Sequence, residues 1–462
     1  MFVKNREVIF SLARNANEKS ILLFLTNKID EILSNAQPSK ILATSISFGE
    51  NSFKVQDTEF SFSSYNEIYL IAFGKASQPM AAWMTENFTK KFKHIIISSQ
   101  SESSREYSTE SSYSFYKAGH PKPDSQSFQA AEEVLNLLQS LKKDDLCIFL
   151  ISGGGSSLLD FPDFNVPFND YLLLMETMLS CGAPIHEINI VRKHFSKTKG
   201  GKFCINTRAS IVSLIISDVI GNDISTIASG PTFPDKTTWK ECWQIFHKYS
   251  LFSTLPDSIL IVLNKGINGT VPDTPSDSVL FSRVHNFMIG DNKQLLEQTE
   301  NGLKNNYTTS IVDHMLQGEA SEVGKNLAYF ALAKYSQRKK KSEKALLFLY
   351  GGETTVTLNP EYKGKGGRNQ ELALSFALTI KKEIPVYLMT LGTDGIDGSS
   401  SAAGAIVGPF TLSNLQKREK ALRCLEQNDS NRFFQLERGE ILTGHTGTNL
   451  MDIIIILIEQ IM

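Results

Sequence analysis

The chain has 462 residues, of which 41% are hydrophobic and 21% charged, and its formal net charge at pH 7 is -2. That length exceeds one ordinary domain and suits two or three, each with a core of normal size. The near-neutral charge gives no bulk field for nucleic acid or an anionic membrane, so neither is an expected partner and function must lie in a local site.

Taken in chain order, residues 1–34 read as helical. Lys4 and Arg6 stand near the start, but Glu7 and Asn15 interrupt the apolar run and no small-residue cleavage site follows, so no signal peptide is expected. Ile68–Gly74 (IYLIAFG) reads as a buried strand followed by a helix through Met84, and His94–Ser98 as a second strand. The Ser/Glu-rich stretch Gln100–Ser114 reads as an exposed connection. Ser125–Leu141 is an amphipathic helix with Asp124 as its N-cap. Cys147–Ser152 is a strand running into Gly153-Gly154-Gly155, and Ile211–Ser217 is another. Gly266–Ser278 lacks periodicity and is rich in Gly, Pro, Asp and Ser, the composition of a linker.

Beyond it the pattern predicts helices over 291–306, 319–339 and 368–382, and strands over 308–313, 345–351, 386–391 and 452–458. The run Ile453–Ile458 is far too short to span a bilayer and reads as a buried strand. Arg338-Lys339-Lys340-Lys341 reads as a solvated helix end that complements the helix dipole. The alternation predicts an α/β protein with a parallel-rich layout. Cys147, Cys181, Cys204, Cys242 and Cys424 are odd in number and form no Cys-x-x-Cys pair, which fits reduced thiols in the cytoplasm better than disulfides or zinc.

Several segments combine residue types suited to anions. Gly74-Lys75-Ala76-Ser77 stands at a strand's C-terminal end, where open α/β sheets bind ligands, although the Gly-x4-Gly-Lys-Ser/Thr spacing of a P-loop is missing. Lys75 is a mobile phosphate-binding charge or a surface lysine after a turn glycine. Gly153, Gly154 and Gly155 with Ser156 and Ser157 form an anion nest or a plain turn. Arg192, Lys193, His194, Lys197 and Lys199 place five potential cations within eight residues, as a phosphate or carboxylate site or a solvated helix face. Asp218 at a strand edge is a candidate magnesium ligand or base, with an N-cap or Asx-turn as the alternative, and Asp223 can take the structural role. Gly351-Gly352-Glu353 and Gly364–Glu371, with Gly366, Gly367, Arg368 and Asn369, suit a phosphate or its transition state, the alternative being a mobile loop capped by an Arg–Glu pair. Asp394 and Asp397, separated by glycines, suit a metal or substrate hydroxyls, or a tight turn. No Gly-x-Gly-x-x-Gly follows a strand with an acid about twenty residues later, which argues against a nicotinamide dehydrogenase.

Together these segments resemble the glycerate 2-kinase family and its C-terminal MOFRL module. The resemblance runs in order through Gly74-Lys75-Ala76, Ala118–Asp124, Ile151–Leu158, Val191–Gly201, Ile216–Pro234 and Ile289–Asn292. It continues through Gly318-Glu319-Ala320, Gly351–Thr355, Gly364–Leu372, Gly392–Gly404 and Thr443–Asn449. It implies two three-layer α/β domains with parallel-rich or mixed sheets, a Rossmann-like one over 1–262 and a second over 263–462, with an active site in the cleft between them, the MOFRL module over about 345–460, ATP with magnesium, and conversion of D-glycerate to 2-phosphoglycerate. Lys75 and Arg368 match the family's leading catalytic positions. In the expected division of labour these two stabilise the transferring phosphoryl group. Gly153–Gly155, Ser156, Arg192, Lys193, Gly366, Gly367 and Asn369 hold phosphate or substrate, and Asp218, Glu353 and Asp394 hold metal. Three positions depart from the family pattern: Ser401 replaces an Asp, His445 a Pro, and Ile220-Gly221-Asn222-Asp223 stands for Pro-Gly-Asp-Asp. The expected partners are glycerate and ATP, a homodimer being compatible with the reading. The rival readings are a hydroxypyruvate reductase and a ligand-binding protein without catalysis.

Overall fold

The computed structural model describes residues 1–103, 112–338, 344–380 and 384–459. Lys339–Lys341 of the basic run, and most of the Ser/Glu-rich connection, lie outside the described residues. The chain forms two compact units, a central one of Ile41–Ile289 and a terminal one that joins Met1–Lys40 to Gly290–Met462. This differs from the expected division at 262/263. Residues 263–289 stay with the central unit, and the first forty residues belong with the C-terminal part.

Local bonds explain the first difference. Trp239 donates through Nε1 to the Pro272 carbonyl at 2.9 Å and through its backbone N–H to Asp273 Oδ1 at 2.7 Å. Thr274 Oγ1 donates to Asp235 Oδ2 at 2.7 Å, and the Asp235 N–H to the Pro275 carbonyl at 3.0 Å. The 266–278 segment is therefore a tied loop, with Val271 and Thr274 buried, and not a linker. At the other end, Phe24 of the Ala16–Asn35 helix packs on Tyr307 with ring centroids 4.9 Å apart, and Thr448 Oγ1 donates to the Ala36 carbonyl.

The central unit opens with a small antiparallel sheet of β1 (Ile46–Phe48), β2 (Ser52–Val55) and β3 (Thr58–Ser61). Its main sheet contains β4 (Ile68–Phe73), β5 (His94–Ser99), β6 (Ser112–Lys117), β7 (Leu146–Ile151), β8 (Ser210–Ile216) and β9 (Val284–Gly290). Their order is β6-β5-β4-β7-β8-β9, and the four pairings from β6 through to β8 are all parallel. Covered on both faces, β4 and β7 are nearly continuous apolar runs. The Ser125–Ser140 helix starts on a reciprocal Asp124–Ser127 capping box and buries Ala130, Val134 and Leu138 against the core of Ile71 and Phe149. The order reverses between β4 and β7, so the chain leaves a crevice at their C-terminal ends, the usual ligand position in open α/β sheets.

The terminal unit has a mixed sheet of β10 (Thr308–Leu316), β11 (Leu346–Gly352), β12 (Val386–Gly392), β13 (Gly404–Val407), β14 (Glu440–Ile441) and β15 (Asp452–Ile458), in the order β10-β11-β15-β12-β13-β14. The fully buried, isoleucine-rich β15 runs antiparallel to both β11 and β12. Its first residue, Asp452, pairs in register with Gly352 and Gly392, the last residues of those strands. The Arg368–Thr379 helix lies between β11 and β12 in sequence and buries Leu372 and Phe376. The same sheet edge thus receives Asp452, Glu353 just past β11, and Asp394 just past β12.

Candidate active site

In the central unit the loops after β4 and β7 are stitched together. The Ser152 N–H donates to the Phe73 carbonyl at 3.2 Å, the Lys75 N–H to the Gly153 carbonyl at 2.9 Å, and the Ala76 N–H to Ser152 Oγ at 3.0 Å. A side chain at Gly153 would stand 1.8 Å from Asp218 Oδ2, so only glycine lets the turn meet that carboxylate. The Gly155 and Ser157 N–H groups bond back to the carbonyls of Ser152 and Gly154, which makes the three glycines a closed turn. Ser156 and Ser229 hydroxyls lie 2.9 Å apart, and Ser229 donates to Asn189 Oδ1 at 3.0 Å.

Beside this turn lies a cavity of ≈ 240 Å³ lined by Ser156, Asn189, Arg192, Asp218, Thr226 and His120 among others. Asp218 and Asp223 divide as the sequence allowed: Asp218 faces the cavity, whereas Asp223 accepts bonds from the Ser225 N–H, Ser225 Oγ and Thr226 Oγ1 of its own turn. The basic cluster separates too. Arg192 lines the cavity, but Lys193 is buried and pairs with Asp235 at 2.8 Å and Lys199 is buried against Asp160 at 3.0 Å, while Lys202, beyond the predicted cluster, bonds Asp163 at 3.1 Å. Lys193, expected as a substrate contact, therefore has a structural partner instead: on the 185–195 helix it points into the core and its neighbour Arg192 does not.

In the terminal unit the guanidinium of Arg368 donates from Nε at 2.5 Å and Nη2 at 3.0 Å to the two oxygens of Asp452, and its Nη1 stands 2.6 Å from Glu353 Oε1. Asp397, also buried, accepts the backbone N–H groups of Asn369 at 2.9 Å and Gln370 at 2.8 Å, filling the first turn of the Arg368 helix. Burial pushes the Asp397 carboxyl up to about 7 and also raises Asp452, despite the arginine beside it. A side chain at Gly367 would stand 2.4 Å from Asp397 Oδ1, so the glycine there serves close loop packing. Gly366 is likewise packed against Ser430. The expected ligand contact Asn369 has a buried side chain. Asp394 Oδ1 accepts the Ile396 N–H at 3.1 Å, and Ser401 is exposed.

The structure thus gathers Lys75, Gly153–Gly155, Ser156, Arg192 and Asp218 in one unit, and Glu353, Gly366, Gly367, Arg368 and Asp394 in the other. Sequence patterning gave no role to Asp452 and left that of Asp397 open. The available signal for Asp452 was a lone carboxylate directly before an unbroken apolar strand. Among the described residues no three His, Cys, Asp or Glu side chains form a metal cluster.

Residues 24–264 match the family model DUF4147, a domain of unknown function, and residues 346–452 match the MOFRL family. The glycerate 2-kinase of Pyrococcus horikoshii is 32% identical over 449 residues, covering 94% of this chain and 96% of the relative. The chain belongs to the glycerate 2-kinase family. A crystal structure of glycerate kinase from Thermotoga maritima superposes with a TM-score of 0.81 at 31% identity, over 95% of this chain and 100% of that one. A protein of Agrobacterium vitis, provisionally named a hydroxypyruvate reductase, is 37% identical over 344 residues, covering 74% of this chain and 76% of its own. The MOFRL match falls on the β11–β15 region that carries Arg368 and Asp452, and the other match on the unit that carries Lys75 and Arg192.

Proposed function

We propose that this chain is an ATP-dependent D-glycerate 2-kinase, which moves the γ-phosphoryl group of ATP to the 2-hydroxyl of glycerate and releases 2-phosphoglycerate and ADP. The observation that carries this reading is the bonded pair of loops holding Lys75 and Gly153–Gly155 at the strand-order reversal, beside a cavity that contains Arg192 and Asp218. Phosphoryl transfer demands positioning and charge neutralisation more than covalent chemistry, and this residue set suits both. Lys75 and Arg368 stabilise the transferring group, Arg192 and Ser156 anchor the substrate carboxylate, and Asp218 is the candidate base. Asp218 in the central unit and Asp394 in the terminal unit each offer the hard oxygen donors that magnesium takes, and a bound ion would neutralise phosphate charge. Glu353 is less suited, since it pairs with Arg368.

The reductase reading shares the fold, because a Rossmann-like order also serves dinucleotides, but fold alone does not choose between them. The loop after β4 carries Lys75 and lacks the glycine spacing that a pyrophosphate bridge needs. We further infer action in the reducing cytoplasm: the five cysteines are free, and no described helix is long and apolar enough to cross a membrane. The test supplies glycerate, ATP and magnesium with enolase, pyruvate kinase and lactate dehydrogenase, omitting phosphoglycerate mutase. A 2-phosphoglycerate product consumes NADH at once. A signal that waits for mutase identifies 3-phosphoglycerate, and NADH loss with hydroxypyruvate, in the absence of ATP and of all the coupling enzymes, identifies a reductase.

A further inference from the structure

The segment Ala118–Asp124 brings His120 to the cavity that holds Arg192, Asp218 and Ser156. Its imidazole Nδ1 lies 2.8 Å from Ser157 Oγ, on the turn that follows the three glycines. The Ser157 hydroxyl itself donates to the Gly154 carbonyl at 3.2 Å. Its one proton being so placed, Ser157 Oγ accepts from Nδ1–H, and Nε2 is left as the unprotonated acceptor. Nε2 has no hydrogen-bond partner among the described residues. The ring packs against Gly154, where an added side chain would stand 3.1 Å from His120 Cε1 and 3.3 Å from Lys75 Cγ, so the imidazole and the Lys75 stem share one surface of the turn.

We propose that His120 is a catalytic residue that binds the acceptor hydroxyl: with Nδ1 held by Ser157, its Nε2 accepts the hydrogen bond of the 2-hydroxyl and turns an oxygen lone pair toward the incoming phosphorus. This assignment rests on the glycerate kinase reading and adds a residue to it. Orientation, and not proton removal, is the role. Burial first, then Lys75 and Arg192, hold the imidazole down at about 4, so it stays neutral in ordinary buffers and is a weak base. A general base is most effective with a pKa near the working pH. The single proton of the 2-hydroxyl stays in its bond to Nε2 while the oxygen attacks; once the oxygen–phosphorus bond forms that oxygen is strongly acidic, and the proton leaves through solvent to Asp218, the anionic group across the same cavity. A neutral acceptor also gives selectivity, because a substrate without the hydroxyl leaves Nε2 unpaired.

The experiment has two arms. In the first, wild-type protein labelled with [15N]histidine is titrated with glycerate in the presence of a non-hydrolysable ATP analogue. The His120 Nε2 resonance moves with glycerate and stays still with 3-hydroxypropanoate, which lacks the 2-hydroxyl. In the second, His120→Asn keeps an amide near the Ser157 contact but removes the Nε2 position, whereas His120→Gln reaches that position. His120→Asn lowers kcat/KM for glycerate by about 10²-fold and His120→Gln recovers part of it. An Nε2 signal unmoved by saturating glycerate overturns the proposal, and this arm decides even where the variants fail to fold. So does a folded His120→Asn with kcat/KM within three-fold of wild type. Absence of glycerate-dependent ADP release from the wild type overturns the kinase reading instead, and is scored separately.

Discussion

Arg368 and Asp452 form a two-pronged ion pair in which Nε and Nη2 of the guanidinium meet both oxygens of a buried carboxylate. Glu353 holds the third nitrogen, so the arginine is fixed in orientation and partly neutralised before any ligand arrives. Arg368→Met is expected to lower kcat by about 10²-fold or more and also to destabilise the fold by about 3 kcal/mol, because Asp452 loses its partner while still buried. Asp452→Asn keeps the arginine but loosens it, and should cost about 10-fold in kcat with a smaller stability loss. Steady-state kinetics with urea unfolding checks both. A folded Arg368→Met with near-normal kcat would remove this arginine from the chemistry.

Lys75 is only partly buried, and its backbone N–H, not its side chain, ties the two loops together. Lys75→Met should therefore cut kcat by about 10²-fold while changing stability by less than about 1 kcal/mol. Equal losses of activity and stability would mark it as structural.

Neighbouring cations on one helix should behave in opposite ways. Arg192→Met is expected to raise KM for glycerate by at least about 10-fold with little effect on unfolding, since the side chain faces the cavity. Lys193→Met should cost about 3–5 kcal/mol by leaving Asp235 buried without its cation, and should leave KM for glycerate nearly unchanged. Equilibrium unfolding and initial-rate measurements on the two variants separate these roles, and a reversal of the pattern would move the carboxylate anchor to Lys193.

Glu371, buried on the Arg368 helix, is pushed up to about 7 by burial, with Glu319 adding to the effect and Asn428 opposing it. Its unfolded value is about 4.3, so the native state binds the proton more tightly. The stabilisation is present in full below about pH 4 and is lost as pH rises through 7. Glu371→Gln removes that dependence. Its unfolding free energy relative to wild type should rise by ~2 kcal/mol between pH 5 and pH 8, measured by urea titration. A constant difference would show that the carboxyl ionises normally.

Parts of this molecule were readable because local chemistry decides them. β4 and β7 are apolar runs that stop at glycines, and Asp124 with Ser127 states a helix start, so the loops of the Lys75 site could be placed from residues alone. Other parts depend on long-range packing. Arg192 and Lys193 are adjacent and equally basic, and only the helix's docking decides which one meets Asp235. Gly, Pro, Asp and Ser make up mobile linkers and tightly tied loops alike, so the bonds of the 266–278 segment to Trp239 and Asp235 were invisible in composition. Asp452 meets Arg368 because β15 inserts between β11 and β12, a pairing that crosses more than eighty residues of sequence.

The placement of β15 also sets an order of events during synthesis. Every residue of the central unit has been made by the time Ile289 is added, whereas the sheet of the terminal unit lacks one of its two middle strands until residues 452–458 emerge. At ordinary elongation rates the intervening stretch takes roughly 10–30 s. During that interval residues 1–40 are already made while the sheet of their unit is unfinished, and the Ala16–Asn35 helix carries Leu22, Leu25, Ile29 and Ile32, all of them buried in the folded chain. The Ala16–Asn35 helix is thus made well before residues 452–458, the strand that completes the sheet of its unit, and it is a place where a nascent chain would call on a chaperone.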